Sequence, residues 1–346
     1  MKHGGYTKFS LQNLLGPLAL LTVATYFLNG ASTSLQLITQ FALCYFVMVL
    51  ALQVFVGNSG VLSFGHGSFA LLGSYVSGML TAPVHIKGHA LALNQLWSFL
   101  VPLQVNIYVA MALSALISGA VAALTGILLM RLNGLAAGIA TFALLGVTYN
   151  IFFNNKQIGP GSQALPAVPT ITNTYILLLI AALILVCVYF FNISRIGRTI
   201  LATREDAMAA PALGVSIFKV RLIAFSISGV LAGLAGSMYV HVAGTFQVQD
   251  YYLDFTFMTL SMLIVGGSAS IWGALVGTVL ITGVGQILLM MEQNLPVFGL
   301  HITIPLGSRA VIIAVTFVAM LLWRSSGITN GREFSLDFLK KLSKKN

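Results

Sequence analysis

The chain has 346 residues, of which 58% are hydrophobic and 7% charged, where a soluble domain carries roughly a quarter charged residues. A soluble fold of this length has too little interior for so much apolar surface, and the apolar runs are too long and too uniform for the alternating strands of a barrel. The net charge of +10 would suit a nucleic-acid binder only if the basic residues clustered with aromatics, and they do not.

Runs approaching 20 apolar residues cross a bilayer core as helices. The chain therefore reads as an all-α, polytopic helical membrane protein with about ten spans. In chain order these are Leu14–Leu28, Leu35–Val56, Gly60–Thr81, Ile107–Met130 and Leu135–Phe153, then Tyr175–Phe191, Val220–Val240, Phe255–Val265, Ile271–Met290 and Ile304–Trp323. The eighth is short for a span and is expected to be tilted or broken. Lys2 and Lys8 precede the first apolar run as they would in a signal peptide, but Asn29-Gly30-Ala31 is a poor cleavage site, so this span is read as uncleaved.

Alternating the spans from an inside N-terminus sorts the basic residues. Lys2, Lys8, Arg131, Arg195, Arg198, Arg204, Lys219, Arg221, Arg324, Arg332, Lys340, Lys341, Lys344 and Lys345 fall inside. Lys87, Lys156 and Arg309 fall outside, a ratio of 14 to 3. Positive residues mark the cytoplasmic face, so both termini are expected there. The expected organisation is one transmembrane domain over 1–324, holding a cytoplasmic loop at 195–219, followed by a basic cytoplasmic tail at 325–346. The outer loop Asn154–Asn173 carries Gly159, Pro160, Gly161, Pro166 and Pro169 and should be irregular.

The third span runs Gly57-Asn-Ser-Gly-Val-Leu-Ser-Phe-Gly-His-Gly-Ser-Phe and on to Gly73. Its glycines, with Ser63 and Ser68, favour a broken or close-packed segment against a cavity. His66 is ionisable at membrane depth, which points to a translocation path. A neutral histidine bonded to its neighbours fits the same residues, and both readings stay open. Gly229, Gly233 and Gly236 share one helical face, and Gly273 and Gly277 repeat the offset of four; small residues there let helices pack closely.

Between the sixth and seventh spans lies the one long charged segment among them. From Arg198 to Leu213 its alanines favour a short helix, Pro211 ends or bends it, and Gly214 supplies a permissive stop. Two short helices with a small-residue surface would fit a partner's groove, with Arg204, Glu205 and Asp206 fixing the register. By composition alone, a solvated loop explains it as well.

Chemistry-bearing constellations are missing. Asp250 and Asp254 lie four apart in an outer loop without His or Cys, Glu292 stands alone, and Cys44 and Cys187 have no metal or redox spacing and read as buried hydrophobes. No catalytic residue, metal site, cofactor or Walker loop is expected, and the chain is read as not an enzyme.

Gly197-Arg198, Arg204-Glu205-Asp206, Ala209-Ala210 and Ala212-Leu213-Gly214-Val215 resemble, position by position, the ATPase-coupling loop of the permease subunits of branched-chain amino acid ABC importers, the hydrophobic amino acid uptake family. The glycines at 229, 233 and 236 and the pair Gly266-Gly267 with Trp272-Gly273 match the same pattern, and Ala140-Thr141 in the fifth span adds Thr141 to the candidate path. The resemblance covers roughly residues 35 to 325, and Trp272 and the length favour the longer of the two permease types. It implies an ATP-driven, binding-protein-dependent importer working by alternating access in a bacterial-type inner membrane. Its partners would be a second permease subunit, two cytoplasmic ABC ATPases, a periplasmic or extracellular solute-binding protein and membrane lipid. The sequence departs from the family where an acidic residue usually follows the threonine (here Leu144, Leu145 and Gly146), and in the outer loop at Gly159-Pro-Gly-Ser-Gln163. These departures leave the substrate open: branched-chain amino acids, or a small solute such as urea or an amide. An ion-coupled secondary transporter would carry intramembrane charges, which the spans lack apart from His66. A passive channel would have no use for the alanine-rich inner loop.

Overall fold

The structure, a computed structural model, describes residues 12–30, 32–89, 93, 95–294, 304–324 and 326–330. Lys2, Lys8 and the basic tail from Arg332 lie outside the described residues. Thirteen helices are described: α1 (Gln12–Asn29), α2 (Thr33–Leu52), α3 (His66–Thr81), α4 (Val84–His89), α5 (Ile107–Leu129), α6 (Gly134–Asn154), α7 (Thr174–Ile193), α8 (Arg195–Glu205), α9 (Ala209–Ala212), α10 (Ile217–Ala243), α11 (Leu253–Gly266), α12 (Ile271–Glu292) and α13 (Ser308–Trp323). A π-helical turn, Gln53–Gly57, prolongs α2, and the sole β contact among the described residues is an isolated bridge between Leu165 and Phe246.

Each expected span holds a helix, but among the described residues six segments are long and apolar enough to cross a membrane: Thr33–Gly57, Ile107–Leu129, Gly134–Asn154, Thr174–Ile193, Ile217–Ala243 and Ile271–Glu292. Length alone thus supports six crossings, not ten. α3 and α11 are the short ones among the buried helices, 16 and 14 residues. At 1.5 Å per residue, 14 residues reach about 21 Å, less than the roughly 30 Å core. α3 starts at His66 rather than Gly60 because residues 60–65 leave the helix: Gly60 has φ of +70° and the Phe64 amide donates to Thr141 Oγ1 at 3.2 Å.

Helix starts follow local chemistry. Ser or Asn stands before several apolar runs and caps them: Ser32 on α2, Asn106 on α5, Asn173 on α7, Ser194 on α8 and Ser270 on α12 each accept an amide of the first turn. Hydroxyls inside the helices fold back onto carbonyls, as Thr25 does on Leu21 and Thr278 on Ala274, so they enter an apolar environment already paired.

The centre is α10, packed on α5, α3 and α2. A Cβ at Gly73 would overlap the Gly233 backbone, one at Gly236 the Ala70 carbonyl, one at Gly229 the Ala122 methyl and one at Gly233 the Ser118 side chain. Ser74 Oγ donates to Gly236 O at 2.7 Å and Ser118 Oγ to Phe69 O at 3.2 Å, so close backbone approach comes with cross-helix hydrogen bonds. α11 and α12 form a second tight pair, with Gly266 against Gly273 and Gly277 against Met262. The turn between them carries Gly267 at φ +120°, a conformation side chains rarely adopt.

Helix ends gather in two sets. At one, Gln40 bonds Thr174 Oγ1 at 3.0 Å, and the irregular segment 155–173 lies along the end of α10. His241 pins it there, one ring nitrogen 2.7 Å from Pro169 O and the other 2.8 Å from Ser77 Oγ. At the other end Asn58 donates to Asn192 Oδ1 at 2.9 Å, Arg221 to Asn133 Oδ1 at 2.6 Å, and Gly57 abuts Ser268. After α13 the amides of Ile328 and Thr329 donate to Val265 and Gly266 carbonyls (2.9 and 3.1 Å), closing the open end of α11. Cys44 is buried as expected; Cys187 is exposed on α7, because its side of that helix faces away from the bundle.

Candidate functional site

The segment 195–219 forms a bent elbow at the second end. Ser194 Oγ caps α8 through Gly197 N at 3.1 Å, and Gly197 is buried because any side chain there would strike the Phe191 carbonyl. Two short helices, α8 and α9, form here as expected, but the break between them falls at Asp206 rather than at Pro211. Asp206 Oδ1 accepts from Met208 N at 2.8 Å and Ala209 N at 2.9 Å, a local turn competing with helix continuation. Those two amides, Ala209 first, hold its carboxyl below the ordinary aspartate value. Pro211 lies within α9, Ala210 is buried, and Gly214 sits at φ +78° in open space, as a helix stop requires. Arg198, Glu205 and Ala209 are exposed. Ala202, Ala207 and Ala212 are exposed as well, and beside this small-residue surface two apolar side chains project: Met208 is 90% and Leu213 83% exposed. Helix breaking at Asp206 turns both outward, which no spacing argument over a continuous helix would reveal.

The elbow touches the broken segment. Arg204 Nη1 donates to Gly57 O, and the Arg204 stem lies against Gly60. Gly57 closes a π turn whose polar groups are buried and linked: Asn192 Nδ2 reaches Gln53 Oε1 at 3.4 Å and Asn58 Nδ2 also bonds Val54 O at 3.1 Å. A π turn leaves the regular ladder of hydrogen bonds and recurs where helices do work. Neither Gln53, Asn58 nor Asn192 stands out in the sequence, since single amides in apolar runs have no period.

Past Gly60 the chain climbs to the residues expected on the path. His66 is 1% exposed; its Nδ1 lies 3.0 Å from Ser63 Oγ and its Nε2 2.9 Å from Ser228 Oγ. Phe55, Phe69 and Phe225 surround the ring at 5.8, 6.1 and 5.6 Å. Ser63 and Ser68 are buried, Ser68 Oγ without a partner among the described residues. Thr141 is buried too, accepting from Phe64 N and donating to Gly138 O at 2.9 Å. The four candidates therefore lie in packed interior. Phe64, between them, faces Phe142 and Phe257 at 5.9 and 5.8 Å.

At the opposite end a cavity of about 790 Å³ opens where α11 and α13 begin and α12 ends. Asp250, Asp254, Glu292 and Arg309, isolated in the sequence, all line it. Desolvation raises the Asp250 carboxyl above its ordinary value.

A family profile described as branched-chain amino acid transport system / permease component matches residues 33–323. The chain is 25% identical to the high-affinity branched-chain amino acid transport system permease protein LivM of Salmonella typhimurium, over 95% of this chain and 79% of that protein. Against LivM of Escherichia coli it is 24% identical, over 84% of this chain and 69% of the other. It is 29% identical to the autoinducer 2 import system permease protein LsrC of Yersinia pseudotuberculosis, over 53% of this chain and 56% of that one. No solved structure matches the chain at a significant level. With more than half its length matched and its apolar helices arranged as a membrane bundle, the chain belongs to the permease-component family of branched-chain amino acid transport systems.

Proposed function

We propose that this chain is the pore-forming permease subunit of an ATP-driven importer that takes branched-chain or other hydrophobic amino acids from a solute-binding protein. All ten apolar helices cross the inner membrane, α3 and α11 as shortened spans completed by irregular segments, with both termini cytoplasmic. A second permease subunit completes the pathway, and two ATPase subunits hydrolyse ATP. The observation that carries the reading is the elbow 195–219, whose Met208 and Leu213 project into solvent. Two apolar side chains held in water by a capped turn favour a partner's groove. Closure of the ATPases would push the elbow, and Arg204 would pass the push to Gly57 and the broken segment, tilting spans in alternating access. The relatives named for autoinducer 2 import favour a wider range of small solutes for this architecture than amino acids alone.

The reading is tested by co-purification with candidate ATPase and permease subunits from the same organism, combined with Leu213→Asp and Ala210→Trp. Both substitutions should abolish ATPase association and leucine uptake while membrane insertion persists. Normal substrate-stimulated ATP hydrolysis in both variants would refute it.

A further inference from the structure

The outer cavity brings together charges that no part of the coupling argument uses. It is lined by Asp250, Asp254, Glu292 and Arg309. Glu292 is engaged, its Oε1 accepting the Arg309 backbone amide at 2.8 Å at the start of α13. The Arg309 guanidinium is left with Met258 Sδ at 3.6 Å, a weak acceptor, among the described residues. The carboxylates of Asp250 and Asp254 accept no hydrogen bond from a described side chain, and none of these acids lies within 4.0 Å of the guanidinium. Among the described residues, one cavity thus holds a guanidinium and two carboxylates that do not pair with each other.

Tyr45, Tyr239 and Gln249 add polar groups to the lining, and much of the remainder is apolar, including Phe255, Phe257, Met258, Ile313 and Ala314. Asp250 and Asp254 are exposed and Arg309 is partly buried, and a charge beside such a lining gains from a partner. A bare cation would meet Arg309, and a bare anion would meet two aspartates. A molecule carrying an ammonium group and a carboxylate on one carbon, with an apolar remainder, offers each kind of group a partner, and a cavity of about 790 Å³ admits one. One wall of the cavity abuts the broken segment, since Phe257 lies 5.8 Å from Phe64 there and 6.2 Å from Phe317 of α13.

We propose that this cavity binds a zwitterionic α-amino acid as it enters the permease. Arg309 holds the carboxylate, Asp250 and Asp254 hold the ammonium group, and the side chain lies along Phe257 and Met258. A guanidinium suits a carboxylate because its planar fork can bond both oxygens at once. The assignment rests on the amino-acid import reading above.

The test uses the full complex in lipid nanodiscs without its binding protein, and L-leucine as the probe. Saturable leucine binding is expected, weakened about tenfold or more by Arg309→Gln and by Asp250→Asn with Asp254→Asn. Arg309→Lys should retain part of it. Leucinamide, which lacks the carboxylate, and 4-methylpentanoate, which lacks the ammonium group, should fail to compete. Complex assembly and melting temperature separate a lost site from a lost fold. A wild-type complex that imports leucine with its binding protein, yet binds none in nanodiscs or binds it equally in all variants, overturns the site alone. Variants that lose only docking of the binding protein, with leucine binding intact, also overturn it. A wild-type complex that imports no amino acid overturns the import reading and this site with it.

Discussion

Arg204→Ala tests the mechanical link between elbow and pathway most directly. The substitution removes the bond from Arg204 Nη1 to Gly57 O and the stem packed against Gly60, leaving the exposed face of the elbow unchanged. A hydrogen bond from a charged donor contributes about 1.5–3 kcal/mol when well shielded. The Arg204 side chain is largely solvent-exposed, so the lower figure applies, and about 1.5 kcal/mol corresponds to roughly tenfold in an equilibrium. If ATPase closure moves the broken segment through this bond, the leucine imported per ATP hydrolysed should fall several-fold in proteoliposomes. Association with the ATPases should persist, because Met208 and Leu213 still project. Arg204→Lys should recover part of the coupling, since the ammonium group can reach the same carbonyl. An unchanged ratio of transport to hydrolysis in Arg204→Ala would show that force travels elsewhere.

Gly236→Leu should prevent α3 and α10 from meeting, because even a Cβ overlaps the Ala70 carbonyl; overpacking costs about 1–3 kcal/mol or more, visible as a lowered melting temperature, and a wild-type melting curve would refute the packing role. His66→Leu should cost about 1–3 kcal/mol by stranding the Ser63 hydroxyl, and in His66→Cys the thiol should resist small thiol reagents without nucleotide; rapid labelling in that state would place position 66 on an open path. Cysteine probes at Gln163 and Gln249 should react from outside intact cells and one at Ala207 should not, since the first two bond each other's segment (Gln249 Nε2 to Ser162 O, 3.2 Å) at the end opposite the elbow; external labelling at 207 would reverse the orientation.

Membrane residence, helical class and the position of every apolar helix were legible in the chain, because each is a property of contiguous residues: a run of apolar side chains, a Ser or Asn cap, a glycine face at offsets of four and three. The packing glycines 229, 233 and 236 were legible for the same reason, since a helix places such residues together whatever its neighbours are. The site was less so. Asp250, Asp254, Glu292 and Arg309 are spread over 60 residues and share a cavity only because α12 and α13 return to the start of α11. The bond from Arg204 to Gly57 joins positions 147 apart, and the His66 bond to Ser228 joins positions 162 apart. His66 read equally as path or packing until its partners were known, because the character of an ionisable group at membrane depth depends on what faces it. The outward turn of Met208 and Leu213 was hidden by the alanines around them, whose helix propensity is overridden by the two amide bonds to Asp206. Local chemistry thus determined what the chain is made of and where its helices run; which charges meet, and which polar groups find partners in a medium that supplies none, was decided by the tertiary packing alone.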